Sequence, residues 1–304
     1  MSILKINGLT KRYGDFTAVK EISFEAEAGS LLGFLGVNGA GKSTTINMLS
    51  TILTPDGGEA YVCGYRLGKE DMDIRRSIGV VYQSNVLDEL LSVRENLLLR
   101  AKIAGLNATA AERRLSELTE HLKLDDILKK RYKFLSGGQK RRCEIANALM
   151  HSPKILFLDE PTTGLDPATR VDVWETVRKL REKEDMTVFL TTHYMEEAAD
   201  ADKIIIIDSG EIKAEGTPFE LKETYARDKL KLYYAGEQSD EIKNMFKDEH
   251  ISETAYGAQI ALKNPYDAVD IITFLKGKID GFEVIQGNMD DVFLNVTGKE
   301  NERA

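Results

Sequence analysis

Residues 31–49 read LLGFLGVNGAGKSTTINML. The run LLGFL has no polar interruption, which is the composition of a strand buried on both faces. It ends in Gly36-x4-Gly41-Lys42-Ser43, after which apolar residues recur with helical spacing through TTINMLSTIL. Strand, glycine-rich loop, Lys-Ser and helix in that order distinguish a phosphate-binding loop from an ordinary glycine turn. The glycines let backbone N–H groups face phosphate oxygens with no Cβ in the way. Lys42 offers a cation to the β- and γ-phosphates, and the Ser43 hydroxyl is a ligand for Mg²⁺. Gly36, Asn38, Gly39, Ala40, Gly41, Lys42, Ser43 and Thr44 are therefore expected to hold a nucleotide's phosphates.

Outward from this loop the alternation continues. Upstream, SILKI and the run Ala18–Ala26 (AVKEISFEA) alternate as two half-buried strands. Downstream, EAYVCG and SIGVVYQ predict short strands, and helical spacing dominates from Ser92 to about Lys130. Ser92 and Glu95 are spaced as a capping box, with Gly105 ending that helix. Then come the strand ILFLDE, a helix from Ala168 to Lys183, the strand TVFLTTH, a short helix and the hairpin-like DKIIIIDSGEIKAEG. Buried apolar strands alternating with helices predict an α/β fold with a largely parallel sheet. After Thr217-Pro218 and one more helix the style changes. From Lys229 the pattern is strand (KLKLYY), helix (Ser239–Lys247), strand (HISETAY), strand (AQIALK), helix (Tyr266–Lys276), strand (GFEVIQG) and a last helix, NMDDVFLNV. That βαββαβ order predicts a small α+β module of ferredoxin-like type. The expected division is 1–226 and 227–304, with a helical subdomain at about 84–150.

The chain has 304 residues and a formal net charge of −9, with acidic residues spread throughout. This argues against a nucleic-acid groove or a polybasic membrane anchor, both of which need clustered Lys and Arg. Two cysteines, Cys63 and Cys143, are too few and too far apart in sequence for a disulfide framework or a metal site, so a reducing cytosol fits best. The N-terminus lacks the apolar core of a signal peptide, and Ile204–Ile207 is far short of the ~20 residues of a membrane helix. Work at a membrane would go through a partner.

The strand ILFLDE ends in two carboxylates. Alone, that is most simply a strand running into solvent. Beside a phosphate loop, Asp159 suits the Mg²⁺ shell, and Glu160 can orient or deprotonate a water in line with the γ-phosphate. His193 follows TVFLTT and could report a γ-phosphate through an imidazole N–H, although a strand-end histidine is usually structural. Gln83 offers an amide to Mg²⁺ or water, a weak signal by itself. Tyr13 offers a ring to stack on a purine, where packing would otherwise be the better reading. The Leu-rich stretch from Gln83 to Leu99 must supply core, with the remainder expected to form a groove for a partner helix.

A second helix start, KFLSGGQKRRCEIANALM at 133–150, has Ser136 and Gln139 at capping-box spacing. A cap does not require Gly137 and Gly138, which cost up to about 0.8–1 kcal/mol each relative to Ala in a helix interior. Bare backbone at a helix N-terminus favours an anion. One nucleotide cannot easily use both helix starts.

The ordered set Tyr13, GVNGAGKST, Gln83, LSGGQ, ILFLDE, GLD (Gly164–Asp166) and His193 resembles the ATPase subunit of an ABC transporter over residues 1 to about 225. The closing DDVFLNVTG, with TTHYMEEAADADKIIIIDSGEIKAEGTP, is similar to the exporter branch for drugs, lipids or polysaccharides, including the daunorubicin-resistance type. The resemblance implies a P-loop ABC domain with an antiparallel N-terminal subdomain and a helical subdomain. It implies ATP and Mg²⁺ as cofactors, with Tyr13 on adenine, Lys42 on the phosphates, and Ser43, Gln83 and Asp159 toward Mg²⁺. Glu160 would be the catalytic base, His193 the γ-phosphate switch and Gln83 a third catalytic residue. Ser136, Gly137, Gly138 and Gln139 would close over the ATP of a second subunit, with Asp166 on the dimer seam. Val37, where Pro is frequent, and Asn147, where Arg is frequent, depart from the family pattern.

The resemblance thus implies a homodimer on the inner face of the cell membrane that drives a separate integral membrane permease, for export, with no nucleic-acid partner. A non-transport ABC ATPase would have tandem units or a long arm between Gly41 and Ser136, and this segment is too short for one. An importer subunit is disfavoured only by the C-terminal pattern. The C-terminal module reads as a dimer brace or packing element, with a ligand sensor as the other possibility.

Overall fold

In the computed structural model, residues 2–234, 251–254, 256–262 and 264–298 are described. They form two compact units, Met1–Thr217 and Pro218–Ala304. The division falls before the helix that follows Thr217, whereas the sequence pattern placed it after that helix.

The first unit is built on two sheets. Strands β1 (Ser2–Tyr13), β2 (Phe16–Glu27), β4 (Gly57–Val62) and β5 (Tyr65–Arg66) form an antiparallel sheet in the order β2-β1-β4-β5. Strands β3 (Leu31–Leu35), β6 (Ile78–Val81), β7 (Ile155–Asp159), β8 (Thr187–Thr192), β9 (Lys203–Asp208) and β10 (Glu211–Gly216) form the second, in the order β10-β9-β3-β8-β7-β6. All neighbours in it are parallel except β10, which pairs antiparallel with β9. Every residue of β3, β7 and β8 is buried, which explains their unbroken apolar runs.

One core joins the sheets. Phe24 of the first packs on Phe34 and Phe189 of the second at centroid separations of 5.6 and 6.1 Å, and Phe157 extends the cluster at 5.3 Å from Phe189. Helix α1 (Lys42–Leu49) buries Ile46, Met48 and Leu49 in the same core. Two pieces escaped the sequence reading: the two-residue β5 and the single-faced helix α2 (Asp71–Ser77), whose one buried residue is Ile74. Elements that short carry no readable periodicity.

Helices α3 (Val93–Ile103), α4 (Ala108–Leu122) and α5 (Gly137–Leu149) pack on one another, and α6 (Pro167–Glu184) follows β7. The capping box at Ser92 and Glu95 is present, and Gly105 ends α3 with φ +85°. The short helix expected after TVFLTTH is a 3₁₀ turn, Met195–Ala198. No helix among the described residues is long and apolar enough to cross a membrane.

The parallel order fixes the site. In β3-β8-β7-β6 the carboxyl ends of adjacent strands carry, side by side, the phosphate loop, Thr192-His193, Asp159-Glu160 and the segment to Gln83. Parallel sheets bind ligands at this edge.

The second unit starts with α7 (Pro218–Tyr225). Strands β11 (Lys229–Tyr233), β12 (Ile251–Thr254), β13 (Gly257–Ala261) and β14 (Gly281–Ile285) run antiparallel in the order β12-β13-β11-β14, the strand order of a split βαβ unit. Helix α8 (Asp267–Phe274) lies between β13 and β14 in sequence, and α9 (Met289–Thr297) follows β14. The helix expected at Ser239–Lys247 lies outside the described residues. Leu230, Leu232, Ala258, Ile260, Leu262, Ala268 and Leu275 form a core separate from that of the first unit. A chain ending at Thr217 is therefore expected to fold by itself. Thermal unfolding followed by near-UV circular dichroism should remain a single cooperative transition, and a broad, structureless melt would contradict this.

Candidate functional site

The loop between β3 and α1 is shaped by close backbone contacts. A Cβ at Gly36 would lie 2.4 Å from Ile207 O, so no larger residue fits. Gly41 has φ +108°, and its Cβ would meet Ala18 O at 2.7 Å. The first ladder bond of α1 runs from Thr45 N–H to Gly41 O at 2.9 Å, which leaves the N–H groups of Lys42–Thr44 outside the helical ladder. These groups and the helix dipole face the same anion site.

Lys42 folds back over this loop. Its Nζ donates to Gly36 O at 2.8 Å and Val37 O at 3.1 Å, and it lies 3.1 Å from Glu160 Oε1. Both side chains are nearly inaccessible, 3% exposed for Lys42 and 7% for Glu160, so each is the other's main counter-charge. Val37, the departure from the family pattern, turns its carbonyl to Lys42 and packs its side chain against the core.

Asp159 and Glu160 point to different partners. Asp159 Oδ1 accepts hydrogen bonds from Ser43 Oγ at 3.1 Å and Thr191 Oγ1 at 2.6 Å. A hydroxyl and a carboxylate held together are hard oxygen donors of the kind Mg²⁺ takes. Glu160 has φ +45°, a left-handed conformation rare outside glycine, and is held there by Glu160 N–H donating to Thr191 O at 3.0 Å. Its Oε2 accepts from Gln83 Nε2 and Thr163 Oγ1, each at 3.2 Å. His193 Nδ1 is also 3.2 Å from Oε2, at an angle that makes it a close charge contact when protonated rather than a hydrogen bond. Burial pushes the Glu160 carboxyl up, but the Lys42 ammonium, its hydrogen bond and His193 outweigh burial. The net shift is downward, so the group stays ionised at neutral pH.

The structure thus brings together Lys42, Ser43, Gln83, Asp159, Glu160 and His193. Tyr13 stands apart from these contacts, 49% exposed at the tip of the β1–β2 hairpin with Lys11 Nζ 5.8 Å from its ring centre. Ser136 is exposed at the start of α5, where both halves of its capping box with Gln139 are formed. Asp166 caps α6 by accepting from Thr169 N–H at 3.0 Å, and Thr169 Oγ1 donates to its other oxygen at 2.5 Å. These bonds hold the Asp166 carboxyl below its usual range.

The two glycines of LSGGQ have different reasons. A Cβ on Gly138 would stand 2.4 Å from Thr169 Cγ2, so its lack of a side chain is required by the approach of α6. A Cβ on Gly137 would meet only Leu165 Cδ2, at an ordinary 3.4 Å. Packing explains Gly138, which the sequence had attributed to an anion alone.

Arg141, Glu144, Thr163 and Thr191, beside the site, were missed by sequence reasoning. Buried Arg141 on α5 donates to Tyr82 O at 2.5 Å and Asp159 O at 3.3 Å, and burial lowers its guanidinium to a pKa of about 10. Buried Glu144 accepts from Tyr132 Oη at 2.7 Å and from the N–H groups of Val86 and Leu87 at 2.9 and 3.2 Å. The segment flanking Gln83 is therefore held to the LSGGQ helix from both sides. The usable signal was two ionisable residues three apart, Arg141 and Glu144, entering the apolar face of α5.

Comparison with known proteins agrees with this geometry. The family profile described as ABC transporter matches residues 19–163, and that of the ATP-binding protein DrrA1-3-like C-terminal domain matches residues 216–297. The chain is 38% identical to the daunorubicin/doxorubicin resistance ATP-binding protein DrrA of Streptomyces peucetius, over 97% of this chain and 92% of that one. The chain belongs to the ABC transporter ATP-binding proteins. Within them it falls in the daunorubicin-resistance branch, and it is an ATPase. It is also 37% identical to the linearmycin resistance ATP-binding protein LnrL of Bacillus subtilis (strain 168), over 98% and 99% of the two chains. To the Nod factor export ATP-binding protein I of Burkholderia orbicola it is 38% identical, over 99% of each. Among solved structures, the dimeric bacterial ABC transporter cassette MJ0796 superposes with a TM-score of 0.64 at 31% identity, over 70% of this chain and 98% of that one. CbiO1 of Clostridium perfringens, part of the cbiONQ ABC transporter complex, gives 0.67 at 30%, over 72% and 90%.

The Gly138–Thr169 contact yields a separable test. Gly138→Ala should destabilise the protein by about 1–3 kcal/mol through overpacking. Adding Thr169→Ser removes the clashing methyl and keeps the hydroxyl on Asp166, so most of that loss should return in urea unfolding. If Thr169→Ser restores nothing, the contact is not the reason for the glycine.

Proposed function

We propose that two copies of this ATPase enclose two MgATP molecules and drive a separate integral membrane permease in the direction of export. The observation that carries the reading is the Glu160 carboxylate, within 3.1–3.2 Å of Lys42, Gln83, Thr163 and His193 at one strand end.

The Lys42 ammonium lies 3.1 Å from the Glu160 carboxylate. Incoming β- and γ-phosphates are stronger partners for the ammonium, so ATP binding draws Lys42 away and leaves Glu160 an ionised, buried base. Gln83 and His193, already on the same carboxylate, then lie beside the attacking water and the γ-phosphate. The water oxygen bonds to the γ-phosphorus as the bond to the β–γ bridging oxygen breaks, and Glu160 accepts the water's proton. Ser43 and Asp159 would hold Mg²⁺, with Gln83 facing it; the ion supplies charge neutralisation at the phosphate oxygens. Tyr13 would stack on the adenine, a role supported by its exposed ring.

The exposure of Ser136 at the start of α5 supports contact with a neighbour's γ-phosphate, and Asp166 would line the seam between copies. Val86, Leu90, Leu99 and Ile103 are 48–69% exposed on the segment that follows Gln83, an apolar surface suited to a permease helix on the inner face of the membrane. Relatives named for drug resistance and Nod factor export match over nearly their full lengths, which favours export over import or a non-transport role. We place the handling of ATP in the first unit and an accessory brace in the second, with α7 on the side of the brace rather than, as the sequence pattern had it, within residues 1–226.

Glu160→Gln should keep MgATP affinity and lower turnover at least about a hundredfold, because the water loses its base while the phosphate contacts survive. An ATP-bound dimer should accumulate on gel filtration. Near-normal turnover would remove the assignment.

Mixing tests the shared site. Lys42→Ala and Ser136→Arg homodimers should each be inactive, since every composite site has one defect. A mixed dimer gathers both defects in one site and leaves the other intact, so ATP occlusion and hydrolysis should reappear. If mixed dimers form and neither signal exceeds the parents, each nucleotide is served by its own chain.

A further inference from the structure

Glu197 is a buried carboxylate to which none of the motifs gives a task. It lies in the 3₁₀ turn after β8 and is 9% exposed. Its Oε1 accepts from Thr162 Oγ1 and its Oε2 from Thr192 Oγ1 at 2.6 Å, and both threonines are fully buried. Among the described residues no Lys, Arg or His lies within ion-pair distance of it. A carboxylate in that position carries a desolvation cost that a neutral residue would avoid. What it provides is an acceptor strong enough to fix two hydroxyls at once through charge-assisted bonds.

The two hydroxyls belong to the two segments that flank Glu160. Thr162 sits in the loop from Glu160 to Asp166, next to Thr163, which donates to Glu160 Oε2 at 3.2 Å. Thr192 precedes His193, whose Nδ1 is 3.2 Å from the same oxygen. Thr192 is tied further, its Oγ1 accepting from Tyr194 N–H at 2.9 Å and its carbonyl accepting from Gly36 N–H of the phosphate loop at 3.4 Å. One buried side chain therefore bears on two of the three neighbours of Glu160 Oε2, Thr163 and His193, and joins the His193 turn to the loop that ends in Asp166.

We infer that Glu197 is a positioning residue for hydrolysis: through Thr162 and Thr192 it holds Thr163 and His193 on either side of the Glu160 carboxylate. The inference rests on the reading of Glu160 as the base. It predicts that loss of the Thr162–Glu197 bond harms turnover more than nucleotide binding, since the phosphate loop is tied to the Thr192 side, through Gly36 N–H, and not to Thr162.

Glu197→Gln retains shape but is neutral and has one acceptor oxygen; its amide can only donate to the second hydroxyl oxygen, so the two charge-assisted acceptor bonds cannot both persist. Turnover should fall about tenfold or more, with KM for ATP and affinity for a fluorescent ATP analogue changed by less than about twofold. Thr162→Val should reproduce the fall, and Thr162→Ser, which keeps the hydroxyl, should not. The double variant Glu197→Gln/Thr162→Val should be no slower than the worse single, because both break one bond. Unchanged turnover in Glu197→Gln, equal losses in Thr162→Val and Thr162→Ser, or losses that multiply in the double variant would each overturn the inference. If Glu197→Gln does not bind the analogue, the Thr162 pair decides alone. Failure of the base assignment is seen separately, as turnover retained in Glu160→Gln.

Discussion

A lysine and a glutamate, both almost wholly removed from solvent, face each other across the carboxyl edge of the parallel sheet. Neither charge would be tolerable there alone, because an unpaired buried ion costs several kcal/mol. The pair forms because β3 and β7 lie two strands apart in one sheet, with the loop after one and the last residue of the other at the same level. Its geometry demands a left-handed backbone at Glu160, which the Thr191 carbonyl and hydroxyl hold in place. The groups around it follow from that arrangement. Gln83, Thr163 and His193 converge on the oxygen that Lys42 leaves free, and Asp159 turns the other way to Ser43 and Thr191.

The LSGGQ helix has a second task besides presenting its N-terminus. Arg141 and Glu144, one turn apart on α5, grip the chain before and after Gln83. Glu144 also takes the Tyr132 hydroxyl from the segment that leads into Ser136, and burial followed by that bond pushes the Tyr132 phenol well up. The exposed apolar residues at 86–90 thus sit on backbone fixed directly to the helix that carries Ser136. Each link between that segment and the helix is a direct hydrogen bond to a buried ionisable side chain.

The C-terminal unit stands on its own core of aliphatic residues. Its sheet is tied at one end by Lys229 to Asp291 of α9, and Asn295 of α9 donates to Tyr225 O of α7 at 2.7 Å. Helix α7 is therefore bonded into this unit, which is why the structural division precedes it. Sequence patterning could not place that boundary, because a short helix following Thr217-Pro218 reads the same whichever core it joins.

The sequence by itself determined the strands of the main sheet, the phosphate loop and the residues that meet around it. Those features are local: an unbroken apolar run is buried on both faces, and Gly-x4-Gly-Lys-Ser between strand and helix is the signature of a phosphate loop. It also gave the order of strands and helices in the C-terminal unit, apart from the stretch at 239–247 that lies outside the described residues. Tertiary structure alone decided which side chains touch. The Lys42–Glu160 pair, the two-sided grip of Arg141 and Glu144, the Thr191 anchor and the Glu197 bridge all join residues far apart in the chain. Gly138 is the plainest case. Its neighbour Thr169 is 31 positions away, as the difference of their numbers shows, and only the approach of α6 to α5 makes a methyl group there clash. Periodicity reports which face of an element is buried, whereas the partner across that face is set by packing between elements, and a pattern within one segment carries no information on it.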